Sequence, residues 1–237
     1  MLDDVVRMLE DDLRGSGFVV DGRLTADDLT ESFLRSRRPV DGRSRAAARS
    51  AGEPVPAIPV GVGPLSVENS PGHVTIDGYL HASLAITAWP STMVRPAWLE
   101  NFIANAPPPG TDRRVTITHV PVPPSQARRS ISHQLSSLES AAEVKQAKGF
   151  RVTAGSRRVM EVTRRREEAL ADGHQMMMVA GMITVSAGDE VSLEHAVDRA
   201  QSQARQAGLE TTVLWLRQPA AWAAGLPLGL GITRLDP

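Results

Sequence analysis

Apolar residues follow two spacings along this chain, and the switches between them divide it into strands and helices. From His73 to Trp89 the period is two: Leu80, Ala82, Leu84, Ile86 and Ala88 alternate with Tyr79, His81, Ser83, Thr87 and Trp89, as the opposite faces of a strand require. Asp77-Gly78, between Ile76 and Tyr79, predicts a two-residue hairpin with Val74 to Ile76. Pro96 stands at a favourable first-turn position for a helix through Asn105, with Trp98, Leu99, Phe102 and Ile103 as its buried side. Pro107 to Gly110 ends that helix, and Val115 to Val122 reads as a further strand. A second unit of the same kind comes later. Met176 to Ala187 is apolar on both faces, as a central strand is. Asp189 or Ser186 can cap a helix carrying Leu193, Val197, Ala200 and Ala204, Gly208 stops it, and Thr211 to Leu216 is the last strand.

Two strand-helix-strand units predict an α+β fold, a ferredoxin-like split βαβ sheet with the first strand of each unit at its centre. A long helical hairpin at about 124–172 is inserted between the units. Its first arm starts at Pro123-Pro124-Ser125 and carries Ile131, Leu135, Leu138 and Ala142 as a narrow stripe; Lys145 and Lys148 sit in the final turn and Gly149 follows as the stop. At 1.5 Å per residue this arm reaches roughly 35 Å. The return helix, about Ser156 to Ala171, is far more polar. Ahead of the sheet, residues 1–38 read as a small helical segment. Val5, Val6, Leu9 and Leu13 recur at helical spacing, Gly15 and Gly17 stop the run, and Phe18 to Val20 look extended. Thr25 can cap Ala26 to Arg35, with Leu29, Phe33 and Leu34 on one face. Residues 39–72 read as a Gly/Pro-rich linker, leaving 73–237 for the sheet and its hairpin.

Composition narrows the chemistry. With 237 residues and 41% hydrophobic content the chain can bury a real core, and its formal net charge of −1 supplies no global field to draw it to nucleic acid or an anionic surface. It has no cysteine, which excludes disulfides, thiolate catalysis and thiolate-bound zinc. The longest apolar stretch, Met176 to Val185, is half of the ~20 residues that a bilayer crossing needs. Met1 opens onto Leu2, Asp3 and Asp4 rather than a basic and then apolar run. The expectation is therefore a soluble chain with no transmembrane segment.

No catalytic pattern stands out. A phosphate-binding GxxxxGK[ST] loop is absent, and the only two lysines lie in one polar helix. The pairs Asp3-Asp4, Asp11-Asp12, Asp27-Asp28 and Glu167-Glu168 diverge around a helix and read as solvated charge. His81, His119, His133 and His195 lack the i, i+4 partner that places two imidazoles on one ion, and no GxSxG elbow marks a nucleophile. Met176-Met177-Met178, at the start of a central strand, reads as core filling rather than as an adaptable binding surface. The sharpest local feature is the arginine cluster Arg157, Arg158, Arg164, Arg165 and Arg166 on the return helix. It offers contacts to an acidic partner or to nucleic-acid phosphates, although Glu161, Glu167 and Glu168 interleave with it and favour a salt-bridged, solvated face. The hairpin as a whole reads as a partner-docking arm, and the chain as no enzyme, with no cofactor and no metal.

Several segments in order resemble one family. They are Ala88-Trp89-Pro90 followed by Pro96-Ala97-Trp98-Leu99, Pro121-Val122-Pro123-Pro124-Ser125 before a long helix, Gly149-Phe150-Arg151-Val152-Thr153-Ala154, the stretch from Arg164 to His174 reading RRREEALADGH, and the closing Leu226-Pro227-Leu228-Gly229. Over roughly Val74 to Ile232 the chain resembles an actinobacterial conjugation-cluster, membrane-associated protein family, itself similar to the N-terminal, non-ATPase domain of Vir-type ATPases of type IV secretion. The resemblance implies a non-catalytic structural or docking component of a conjugative DNA-transfer apparatus. Its implied partners are a separate motor ATPase and inner-membrane components, at the cytoplasmic side of the inner membrane, with direct DNA contact and homo-oligomer formation left open. It carries over no catalytic residues.

Overall fold

In the computed structural model, residues 2–15, 19–20, 22–23, 25–39, 47–48, 50–53, 63–90, 98–151 and 153–226 are described. A short strand β1 (Val67–Asn69), inside the expected linker, pairs with β2 (Val74–Ile76), and the Asp77-Gly78 turn folds β2 onto β3 (Tyr79–Ala88). Asp77 and Gly78 take φ of 51° and 84°, which a primed two-residue turn requires and Asp and Gly tolerate. Asp77 also anchors the surroundings, since its Oδ1 accepts the N–H groups of Leu65 at 2.7 Å and Ser66 at 3.1 Å.

β3 takes β5 (Met177–Ala187) on its other edge, and β5 takes β4 (Asp112–Pro121). β6 (Glu210–Val213) lies on the same edge of β3 as β2, end to end with it: β2 pairs with Tyr79 to His81, β6 with Leu84 to Ala88. Every pairing is antiparallel. Between those two partners Ser83 has no strand opposite it. Gln218, at the start of α7 (Gln218–Ala224) and fully buried, fills the gap: its Oε1 accepts the Ser83 N–H at 2.7 Å, and its Nε2 donates to the carbonyls of Ser83 at 3.2 Å and Leu214 at 3.0 Å. The last strand stops at Val213 rather than Leu216, although the Leu214 N–H still donates to Ser83 O at 3.0 Å. Leu216 turns away with φ of 63°.

One face of the sheet is covered by α6 (Glu190–Gln206), whose N-cap Asp189 accepts the Ser192 N–H at 2.8 Å. Its Leu193, Ala196, Ala200 and Ala204 pack on Ala82, Leu84, Ile183, Val185, Ala187 and Leu209. The small alanines let the helix approach closely. α3 (Glu100–Ala104) adds Phe102 to this core, but Ile103, expected beside it, is 62% exposed. A helix of one turn presents little more than one residue to the sheet, and Trp98 and Leu99 are only partly buried. Pro96 lies outside the described residues.

The opposite face is covered by α7 and by α2 (Ala26–Arg37). Thr25 and Asp28 form the expected capping box, and the helix runs two residues further than the pattern indicated. Phe33 packs with Val74, Ile76, Trp222 and Leu226. Arg37 Nε meets Asp77 Oδ2 at 3.3 Å, and Trp222 Nε1 donates to Ser36 O at 3.3 Å, so α2 is fastened to the sheet. The apolar residues of α1 (Leu2–Gly15) make no comparable core. Val5 and Leu9 are more than half exposed, and Arg23 ties the helix to the next segment through Glu10 and Asp3. Val19 and Val20 are without regular structure, and Phe18 lies outside the described residues.

Candidate functional site

β4 and β5 outrun the rest of the sheet. β3 flanks β5 only from Gly181 to Ala187, whereas pairing with β4 continues to Pro121 opposite Met177. Gly181 marks the change: a Cβ there would lie 2.6 Å from Ile86 Cδ1 and 2.8 Å from Trp89 Cζ2, so a substituent would require those side chains to shift. Beyond it the two strands form a ribbon, closed by a hydrogen bond from Val122 N–H to Met176 O at 2.8 Å.

The predicted hairpin rises from the end of that ribbon. Its arms are α4 (Pro124–Ala147) and α5 (Ala154–Ala171), packed on each other, with Ala127 and Ile131 buried on the first and Thr163 on the second. Proline is harmless in the first turn of α4, where its missing N–H would have had no partner. Thr153 caps α5 by accepting the Ser156 N–H at 3.2 Å.

At the foot of the hairpin the methionine run departs from expectation. Met177 and Met178 are 45% and 53% exposed and Val179 is 41% exposed, rather than filling the core. A strand apolar on both faces is buried on both only where helices cover both, and the covered, fully buried part of β5 begins at Gly181. The ribbon therefore shows apolar side chains on each side. Met176 to Met178, Val122, Ile131 and Leu170 line a groove of about 570 Å³ with Arg166 on its rim. A second hollow of about 300 Å³ also reaches Ile131 and Leu170 and is bordered by Arg128 and Glu167. The two volumes lie in the range of small-molecule and peptide sites, and methionine fits irregular apolar partners readily.

The five arginines of the sequence reading are all exposed on α5. At 3.6 residues per turn, Arg157 and Arg164 fall on one side of the helix, Arg158 and Arg165 on the outer side, and Arg166 on the third. They spread over the solvent half and form no single patch. Arg164 Nη2 donates to Glu139 Oε1 across the hairpin at 2.9 Å, and Arg165 Nε donates to Glu161 at 3.1 Å. Only Arg166 reaches the groove.

A polar seam under α7 was not foreseen as a unit. His81, fully buried, has Nδ1 2.7 Å from Ser186 Oγ and Nε2 3.1 Å from Arg37 O. A carbonyl can only accept, so Nε2 carries the proton and Nδ1 accepts from the Ser186 hydroxyl. Burial, reinforced by the nearby Arg114 guanidinium, pushes the His81 pKa down to about 4, so the ring is neutral at physiological pH. A serine donating to a histidine is the beginning of a nucleophilic arrangement. Here Ser186 is 7% exposed and the second ring nitrogen is held by a backbone carbonyl, so the pair is a structural bond. Beside it Ser83 Oγ and Thr184 Oγ1 share a hydrogen bond at 3.1 Å. Arg114 has Nε and Nη2 buried without a hydrogen-bond partner, and its burial lowers the pKa to about 10.

Among the described residues no group of three His, Asp or Glu could hold a metal ion, and no helix is long and apolar enough to cross a membrane. Compared with known proteins, the chain matches no family model and no curated protein.

Proposed function

We propose that this chain is a non-catalytic docking component that holds a partner protein at the foot of its helical hairpin. The observation that carries the reading is the exposure of Met177, Met178 and Val179 on the ribbon, with Met177 and Met178 lining the 570 Å³ groove. Exposed contiguous apolar surface rimmed by polar residues marks protein contact sites. The strand order β6-β3-β5-β4, with α3 and α6 each joining two strands that flank a third, supports the finer description of the sheet as a ferredoxin-like split βαβ.

The ordered sequence motifs supply the setting. In it the chain serves a conjugative, type IV-like secretion apparatus at the cytoplasmic side of the inner membrane, and the partner is the separate motor ATPase. A pull-down of that ATPase, encoded in the same gene cluster, tests the reading. Met177→Asp with Met178→Asp should cut capture at least tenfold. Replacement of residues 126–172 by a short Gly-Ser turn should abolish it. Undiminished capture by both variants removes the hairpin foot from the mechanism.

A further inference from the structure

The far end of the hairpin brings basic and exposed apolar residues together. Between residues 143 and 158 five basic side chains, Lys145, Lys148, Arg151, Arg157 and Arg158, face one carboxylate, Glu143, in a chain whose overall charge is −1. Both lysines of the protein are among them. The same turn carries Phe150, 66% exposed, and Val144, 54% exposed.

The backbone explains how these groups come together. Gly149 takes φ of 75°. The Phe150 N–H donates to Lys145 O at 2.8 Å and the Gly149 N–H to Gln146 O at 2.9 Å. These are the two bonds of a Schellman stop, in which the residue after the glycine is turned back toward the last turn of its helix. Phe150 is thus set at the level of Val144 and Lys145. Such stops frequently bring an apolar contact between these positions; here more than half of each residue is exposed. Lys145 and Lys148 suit the negative end of the α4 dipole. Arg157, at the end of the first turn of α5, stands where the dipole disfavours a cation, and a bound anion would offset that.

We propose that the hairpin tip contacts an anionic lipid bilayer, Phe150 and Val144 entering the headgroup boundary while the basic collar meets lipid phosphates. Position and chemistry favour a bilayer over nucleic acid. The basic and apolar residues sit at the short connection between α4 and α5, at the end of an arm of roughly 36 Å, and the stretch from 143 to 158 has no aromatic besides Phe150 to stack on bases. A flat surface accepts an apolar pair with a basic rim. The inference is independent of the docking foot at the other end of the arm.

The test uses the full chain and vesicles of phosphatidylcholine, with and without phosphatidylglycerol, in co-sedimentation at low and high salt. Binding should require the anionic lipid and weaken with salt. Lys145→Glu, Lys148→Glu and Arg151→Glu together should reduce it more than tenfold, and Phe150→Ser severalfold, with thermal unfolding unchanged. Because the chain has no cysteine, an environment-sensitive dye on Phe150→Cys should shift to the blue on anionic vesicles, and one on Ser136→Cys, partway along the arm, should not. Absence of binding at low salt, equal binding to both vesicles, or binding that survives charge reversal overturns the proposal. So does retention of single- or double-stranded DNA that is lost with the same variants while vesicles are ignored. Met177→Asp with Met178→Asp should bind vesicles normally, which separates failure at the foot from failure at the tip.

Discussion

Replacing Gln218 by Leu keeps its bulk and removes an amide that stands in for a length of strand. The Ser83 N–H is then buried without that partner, which costs about 1–3 kcal/mol, while the Leu214 carbonyl keeps the Arg217 N–H at 3.2 Å. Urea denaturation should therefore show Gln218→Leu destabilised by about 1–3 kcal/mol, more than loss of an exposed glutamine. His81 gives a pH-dependent counterpart. Its pKa is about 4 in the folded chain against 6.5 when free, so between those values the unfolded chain binds more protons. Stability is complete above about pH 6.5 and is lost as pH falls toward 4, by about 3 kcal/mol at most. His81→Asn should flatten that part of the stability profile, measured by urea titration at intervals of pH. Residue-level signals with a local mechanism were legible in advance: Thr25 and Asp189 as caps, Asp77-Gly78 as the turn. Gln218 and His81 were not, because their roles arise from groups more than a hundred positions away in sequence, Ser83 for the one and Ser186 for the other.

At the level of elements, the hairpin was legible because helix periodicity, Pro123-Pro124 and Gly149 agreed. β5 was half legible. Its apolar pattern gave a strand correctly, but pattern does not say how far the covering helices extend, and the first three residues fall beyond them. The two arms of the hairpin share few buried side chains, Ala127, Ile131 and Thr163. Ile131→Ala removes the largest of them, at a cost of about 2–4 kcal/mol in a core that could not relax. Hydrogen exchange should then quicken through the lower turns of α4 and α5 while β3 and α6 keep their protection. Equal acceleration everywhere would show that the arm and the sheet unfold as one unit.

For the whole molecule, the sheet's two faces are closed by different means. The α6 face is apolar, closed by a helix of the repeated unit, and its residues were readable from spacing. The other face sets a polar seam beside apolar clusters and is roofed by α7 and by α2, which approaches from the far side of the Gly/Pro-rich segment; no local pattern links Phe33 or Arg37 to Trp222 and Asp77. Trp222→Ala should loosen that roof, and trypsin should then cut after Arg37, whose side chain is now buried, much faster than in the parent chain.

The hydrogen bond between Val122 and Met176 has a consequence for how such a protein can vary. The two residues bracketing the arm are already neighbours in the ribbon, so the sheet does not depend on the arm to bring its strands together, and the arm's length adds little chain-closure entropy. Length, charge and tip chemistry can change there by insertion or exchange while the sheet stays as it is. The same site suits grafting: a foreign helical hairpin spliced between Val122 and Met176 would inherit a ready-made base.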